Sequence, residues 1–88
     1  MSITKAMTQE ELRQIIFRHL RSIAPEADAG ALRPHDDIRE TLEVDSFDFL
    51  NFLIAINAEL GISIPEQDYG QVNTVDKLVK YLTTHMAS

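Results

Sequence analysis

Fifteen residues in the middle of the chain, Ser46 to Leu60, constrain the fold most. They carry apolar side chains at Phe47, Phe49, Leu50, Phe52, Leu53, Ile54, Ile56 and Leu60. That spacing is helical, but the apolar residues occupy more than one face. Asp45 stands ready to cap the helix and Asp48 follows three residues later, a capping box with Asp in both roles. Gly61 supplies the stop. Asn51, Asn57 and Glu59 interrupt the run, so it does not read as a membrane span. A buried stripe through Leu50, Leu53, Ile54 and Ile56 satisfies a small core. Phe49 and Phe52 then pack under a neighbouring loop or meet a partner. With a core limited by 88 residues, we expect Phe52 to be partly exposed and to meet a protein partner beside Asn51.

The flanking segments read as further helices. Thr8 and Glu11 form a second capping box, with Met7 and Leu12 as a hydrophobic staple. Leu12, Ile15, Ile16, His19, Leu20 and Ile23 then make one stripe, which Pro25 ends. His19 reads as a packing or edge residue. Ala24 to Pro34 is a loop anchored by Leu32. His35 to Val44 contains a short turn of helix with Ile38 and Leu42 inward. Ile62 and Ile64 alternate like a strand, but without a partner strand they plug the core from a loop. A short helix is expected over Pro65–Tyr69, broken by Gly70. Asn73 or Thr74 caps the last helix, whose stripe is Val75, Leu78, Val79 and Leu82, with Tyr81 at the edge. The expected architecture is all-α: a small four-helix bundle of three main helices and one short one. Residues 1–7 are read as a flexible arm, 8–83 as the domain and 84–88 as a tail, with fraying from Thr83.

Charge and composition narrow the function. Between residues 35 and 70 stand nine acids and one base, Arg39, within a net charge of −6. Such a surface argues against nucleic acid and favours protein partners with basic patches. There is no cysteine, which excludes disulfides and thiolate metal sites. The N-terminus shows no long apolar run, so we expect a cytoplasmic monomer without membrane insertion. No serine-protease-like or Gly-rich phosphate motif appears. Asp36, Asp37 and Glu40 do not follow calcium-loop spacing, and the histidines do not follow zinc spacing. Ser46 itself opens the central helix, where its hydroxyl points outward beside unpaired N–H groups that suit a phosphate ester.

An acidic loop leads into Asp45-Ser46-Phe47 and then an apolar helix. Gly61-Ile62-Ser63-Ile64-Pro65 closes that helix, and Thr74-Val75 opens another. This layout resembles the acyl carrier protein family over Leu12 to Leu82. The resemblance implies that Ser46 carries 4'-phosphopantetheine, transferred from coenzyme A by a phosphopantetheinyl transferase that requires Mg2+. It implies that Asp45 belongs to the recognition motif, with Phe47, Asp48, Asn51 and Phe52 as further contacts. The chain would be a carrier rather than an enzyme, serving acyl-activating, acyltransferase or synthase partners. Glu43 departs from the glycine frequent at its position, and Phe47 from the usual leucine or methionine. Fatty-acid carriers often place acids where this chain has Asn51, Asn57 and Ala58. These departures point to a specialised lipid or polyketide-like pathway. An aminoacyl, peptidyl or aryl carrier and an unmodified helical adaptor are the alternatives.

Overall fold

The computed structural model describes residues 8–86, and side chains through His85. The expected arm, the Met7 half of the staple and the last two residues lie outside that range. Four α-helices are described: α1 (Gln9–Ile23), α2 (Ile38–Leu42), α3 (Ser46–Leu60) and α4 (Val75–Met86). Two 3-10 segments, Ala29–Ala31 and Glu66–Gln71, join them. The second is the expected short helix, extended through Gly70 rather than broken by it.

Local chemistry sets the helix ends. Thr8 Oγ1 accepts from Glu11 N at 3.1 Å while Glu11 Oε1 accepts from Thr8 N at 2.8 Å, a complete capping box. Asp45 caps α3 by accepting from Asp48 N at 2.8 Å. Among the described residues, the reciprocal bond from the Asp48 carboxylate is not made. Aspartate is one methylene shorter than the glutamate that closes the box at α1. Gly61, at φ 73°, ends α3 in the left-handed conformation open to glycine. Thr74 Oγ1 caps α4 by accepting from Lys77 N.

α4 corrects an expectation: the chain does not fray from Thr83 but stays helical through Met86. His85 helps explain why. Its ring stacks on Tyr81 with centroids 4.0 Å apart, and its Nδ1 hydrogen-bonds to the Tyr81 carbonyl. A residue in the last turn is thus tied back to the turn before it.

The core is one cluster to which all four α-helices contribute. Leu12, Ile16 and Leu20 of α1 and Leu78 and Leu82 of α4 are fully buried. Ile38 and Leu42 enter from α2, and Leu32, Ile62 and Ile64 from the connections. Tyr81 is buried rather than at the edge, with its hydroxyl donating to Asp68 at 2.8 Å. Burial, then that hydrogen bond, pushes the Tyr81 phenol up from its ordinary value.

The chief correction concerns α3. Its buried stripe is Phe49, Phe52, Leu53 and Ile56. Phe52 has no exposed surface, and Ile54, expected inside, is 53% exposed. The helix is thus turned by roughly 80° from the expected phase, using 100° per residue. The rings of Phe49 and Phe52 lie 5.7 Å apart, within the range of favourable aromatic pairs. The connections send Val44, Ile62, Ile64 and Val72 into the core beside Leu42 of α2, and the core so built takes both rings.

Two irregular segments are tied together. Ile38 N donates to Asn73 O at 2.9 Å and Asp76 N to Pro34 O at 3.0 Å, with an isolated antiparallel bridge between Asp37 and Thr74. Asp37 also uses its carboxylate twice. Oδ1 caps α2 through Glu40 N, and Oδ2 accepts from Asn73 Nδ2 at 3.2 Å. This clip joins the start of α2 to the start of α4. None of the described helices is long and apolar enough to cross a membrane.

Candidate functional site

The turn before α3 delivers Ser46 to the surface. α2 ends at Glu43, whose φ of 55° makes it the non-glycine residue with positive φ among those described. That left-handed step ends α2, and α3 begins three residues later, with Val44 buried between them. Asp45 is then fixed as the cap. Ser46 follows as the first helical residue, exposed, with its hydroxyl making no hydrogen bond to any described residue. A free hydroxyl at the positive end of a fifteen-residue helix is well placed to become a phosphate ester.

Ser46 opens on a recess of about 840 Å³ between α2, the start of α3 and the segment around residues 66–73. Val44, Phe49, Leu50 and Tyr69 give it apolar walls, while Asp37, Arg39, Glu40, Glu66 and Asn73 give it polar ones. Its size falls within the ~300–1,000 Å³ of small-molecule sites. One polar atom at this recess stands out. Asn73 lines it, and Asn73 Oδ1 is buried with no hydrogen-bond donor. An exposed serine beside a partly apolar recess is compatible with a flexible arm bearing a phosphodiester and amides. No group of three or more His, Cys, Asp or Glu side chains suited to a metal ion occurs among the described residues.

Of the residues singled out for recognition, Asp45, Phe47, Asp48 and Asn51 are exposed around Ser46. Phe47 is 68% exposed. Phe52 is not with them: it lies in the core, because α3 turns its 49-52-53-56 stripe inward. The position that sequence reasoning missed is Ile54. Seven residues after Phe47, two helical turns along, it shares the outward face with Phe47, Asn51 and Ala58. That seven-residue spacing was readable, but a second set of apolar residues competed with it for the core.

Glu59 does not extend this face as a free charge. Arg18 reaches it at 2.6 Å and His19 at 2.7 Å, both from α1. The hydrogen bond from His19, then Arg18, holds its carboxyl below the ordinary value. His19 is therefore an edge residue, as expected, and it ties α1 to α3. The outward face of α3 keeps an uncompensated acid at Asp48 and is otherwise apolar or neutral through Ala58.

Comparison with known proteins agrees with this geometry. Residues 12–82 match the family model described as a phosphopantetheine attachment site. The acyl carrier protein of Rubrobacter xylanophilus is 27% identical over 79 residues, spanning 86% of this chain and 98% of that protein. That of Zymomonas mobilis is 29% identical over 80 residues, with 91% and 96% covered. The one from Lactobacillus acidophilus is 26% identical over 82 residues, with 90% and 98% covered. The family consists of carriers rather than catalysts, modified by phosphopantetheinyl transferases and served by acyl-transfer enzymes. With its all-α bundle and its match over residues 12–82, this chain belongs to the acyl carrier protein family.

Proposed function

We propose that the chain is a free-standing acyl carrier whose prosthetic arm, 4'-phosphopantetheine, is attached to Ser46, and that it works in a specialised lipid or polyketide-like pathway. The observation that carries this reading is the free, exposed Ser46 hydroxyl at the start of α3, beside an open recess. In the transfer, the Ser46 oxygen bonds to the phosphorus that bears the pantetheine group of coenzyme A. The phosphoanhydride bond breaks, adenosine 3',5'-bisphosphate leaves, and the hydroxyl proton passes to a base of the transferase. Mg2+ belongs to that enzyme, where it offsets the pyrophosphate charge. Once attached, the thiol of the arm holds an acyl group as a thioester.

Recognition is assigned to Asp45, Phe47, Asp48 and Asn51, with Ile54 in the place once expected for Phe52. The specialised pathway is inferred from the neutral stretch Asn51, Asn57 and Ala58. With Glu59 already paired, this face offers a basic enzyme patch little beyond Asp48, so partners are selected by apolar fit as much as by charge.

Incubation with coenzyme A, Mg2+ and a broad-range phosphopantetheinyl transferase is expected to add about 340 Da, seen by intact mass. Ser46→Ala should abolish the gain and leave the helical spectrum native, since an exposed serine buries no core surface. A gain that persists in Ser46→Ala would overturn the assignment. Mass analysis of the cargo on protein isolated from its own cells identifies the pathway.

A further inference from the structure

Asp48 and Glu59 stand eleven residues apart on α3. At 100° and 1.5 Å per residue they lie within about 20° of the same side of the helix and about 16 Å apart along it. Every residue between them is uncharged. The two acids differ in what they offer. Asp48 is exposed and makes no ion pair with any described residue. Glu59 is held on both oxygens from α1: Arg18 Nη2 donates to Oε2 at 2.6 Å, and His19 Nε2 bonds to Oε1 at 2.7 Å. A carboxylate only accepts, so His19 is the donor there.

Arg18 does more than neutralise Glu59. Its side chain is 60% exposed. A guanidinium has five N–H donors, and those turned away from Glu59 bond to no described residue. The end of α3 far from Ser46 thus presents a cation where an unpaired Glu59 would present an anion. The side runs from acid at Asp48, through a neutral middle, to base at Arg18.

We propose that Arg18 and His19, acting through Glu59, determine which enzymes α3 accepts. The fitting partner has a basic group opposite Asp48, an apolar middle, and no lysine or arginine opposite the far end. An enzyme with a basic patch along the whole helix gains at Asp48 but meets Arg18 at the other end, where like charges count against it. Arg18 and His19 are positioning residues, since they set the availability of Glu59. The inference rests on the proposed carrier role, with Ser46 loaded and α3 read by partners.

The test uses the full chain loaded with phosphopantetheine, checked by intact mass. The probe is an acyltransferase whose carrier-docking patch has lysine or arginine along its whole length. Arg18→Ala with His19→Phe removes the cation and the donor while keeping a ring at residue 19. In this double variant KM for the carrier should fall about two- to fivefold, the range for an exposed charge pair, with kcat unchanged. The gain should vanish in about 1 M salt, and adding Glu59→Gln should cancel it. Arg21→Ala is the control: Arg21 is exposed on the same helix without an ion pair to any described residue, so it changes net charge equally but leaves Glu59 held. Should the double variant unfold, Arg18→Ala alone is expected to lower KM in the same direction. An unchanged KM in folded, loaded protein would overturn the proposal. So would an equal gain in Arg21→Ala, or a gain that survives Glu59→Gln. A missing mass gain would overturn the Ser46 assignment instead, before any KM is measured.

Discussion

α1 and α3 are both fifteen residues long and lie against each other, yet they spend their apolar residues differently. α1 buries one stripe and turns Glu10, Gln14, Arg18 and Arg21 to solvent. α3 buries Phe49, Phe52, Leu53 and Ile56 and still leaves Phe47 and Ile54 outside. For α1 the hydrophobic pattern answers one question, which side faces the core. For α3 it leaves a second question, what the exposed Phe47 and Ile54 are for. Under the proposed function they form a partner surface, whereas the tidy amphipathicity of α1 reports fold alone.

Paired truncations test that division most sharply. Phe52→Ala should cost about 3–5 kcal/mol in denaturant unfolding, a large part of a small domain's stability. Phe47→Ala should stay within about 0.5 kcal/mol of wild type while slowing modification by the transferase. Equal destabilisation by the two would erase the distinction between the faces of α3.

The entries to the two helices give a smaller effect. α1 begins from an unstrained extended cap, but α3 is reached through Glu43 in the left-handed region. Glu43→Gly should relieve that conformation and raise stability by roughly 0.5–1 kcal/mol, net of the freedom glycine gains when unfolded. Urea midpoints of the two proteins measure it; a loss of stability would show that the Glu43 side chain makes a compensating contribution.

The link between the helices gives the smallest effect. Glu59 has its carboxyl lowered below 4.5 in the folded protein by His19 and Arg18. A folded value below the unfolded one contributes stability at higher pH, and that contribution is lost as pH falls through the folded value. Wild type should therefore lose stability more steeply than Glu59→Gln below about pH 4.5. Near neutral pH, Glu59→Gln should cost little, because the pair is exposed. Parallel acid-unfolding curves would remove Glu59 as the tie between α1 and α3.

The same contrast explains what the sequence disclosed. Where one stripe was apolar, as in α1 and α4, both the helix and its buried face were legible. The limits of α3 were legible too, because Asp45 and Gly61 mark them chemically. Its rotation was not. Eight apolar residues over more than one face support two phases, and the choice depends on how far the connections widen the core. Ser46 was legible as a candidate site through the acyl-carrier layout around it, since a serine at a helix start reads by itself as ordinary capping. The recess was not: Arg39, Asn73 and Tyr69 are brought to Ser46 by tertiary folding, and nothing in their spacing links them.

The clip between Asp37 and Thr74 has a consequence for the newly made chain. It fastens two points far apart in sequence, and everything between them, α3 included, is a loop that must close before the clip forms. Closing such a loop costs entropy that only distant contacts repay, so it belongs to the later events of folding. The wall of the recess opposite Ser46 is assembled by that closure. If the transferase reads this assembled surface, the prosthetic group becomes a mark of maturity, placed only on chains whose last long-range contacts are made.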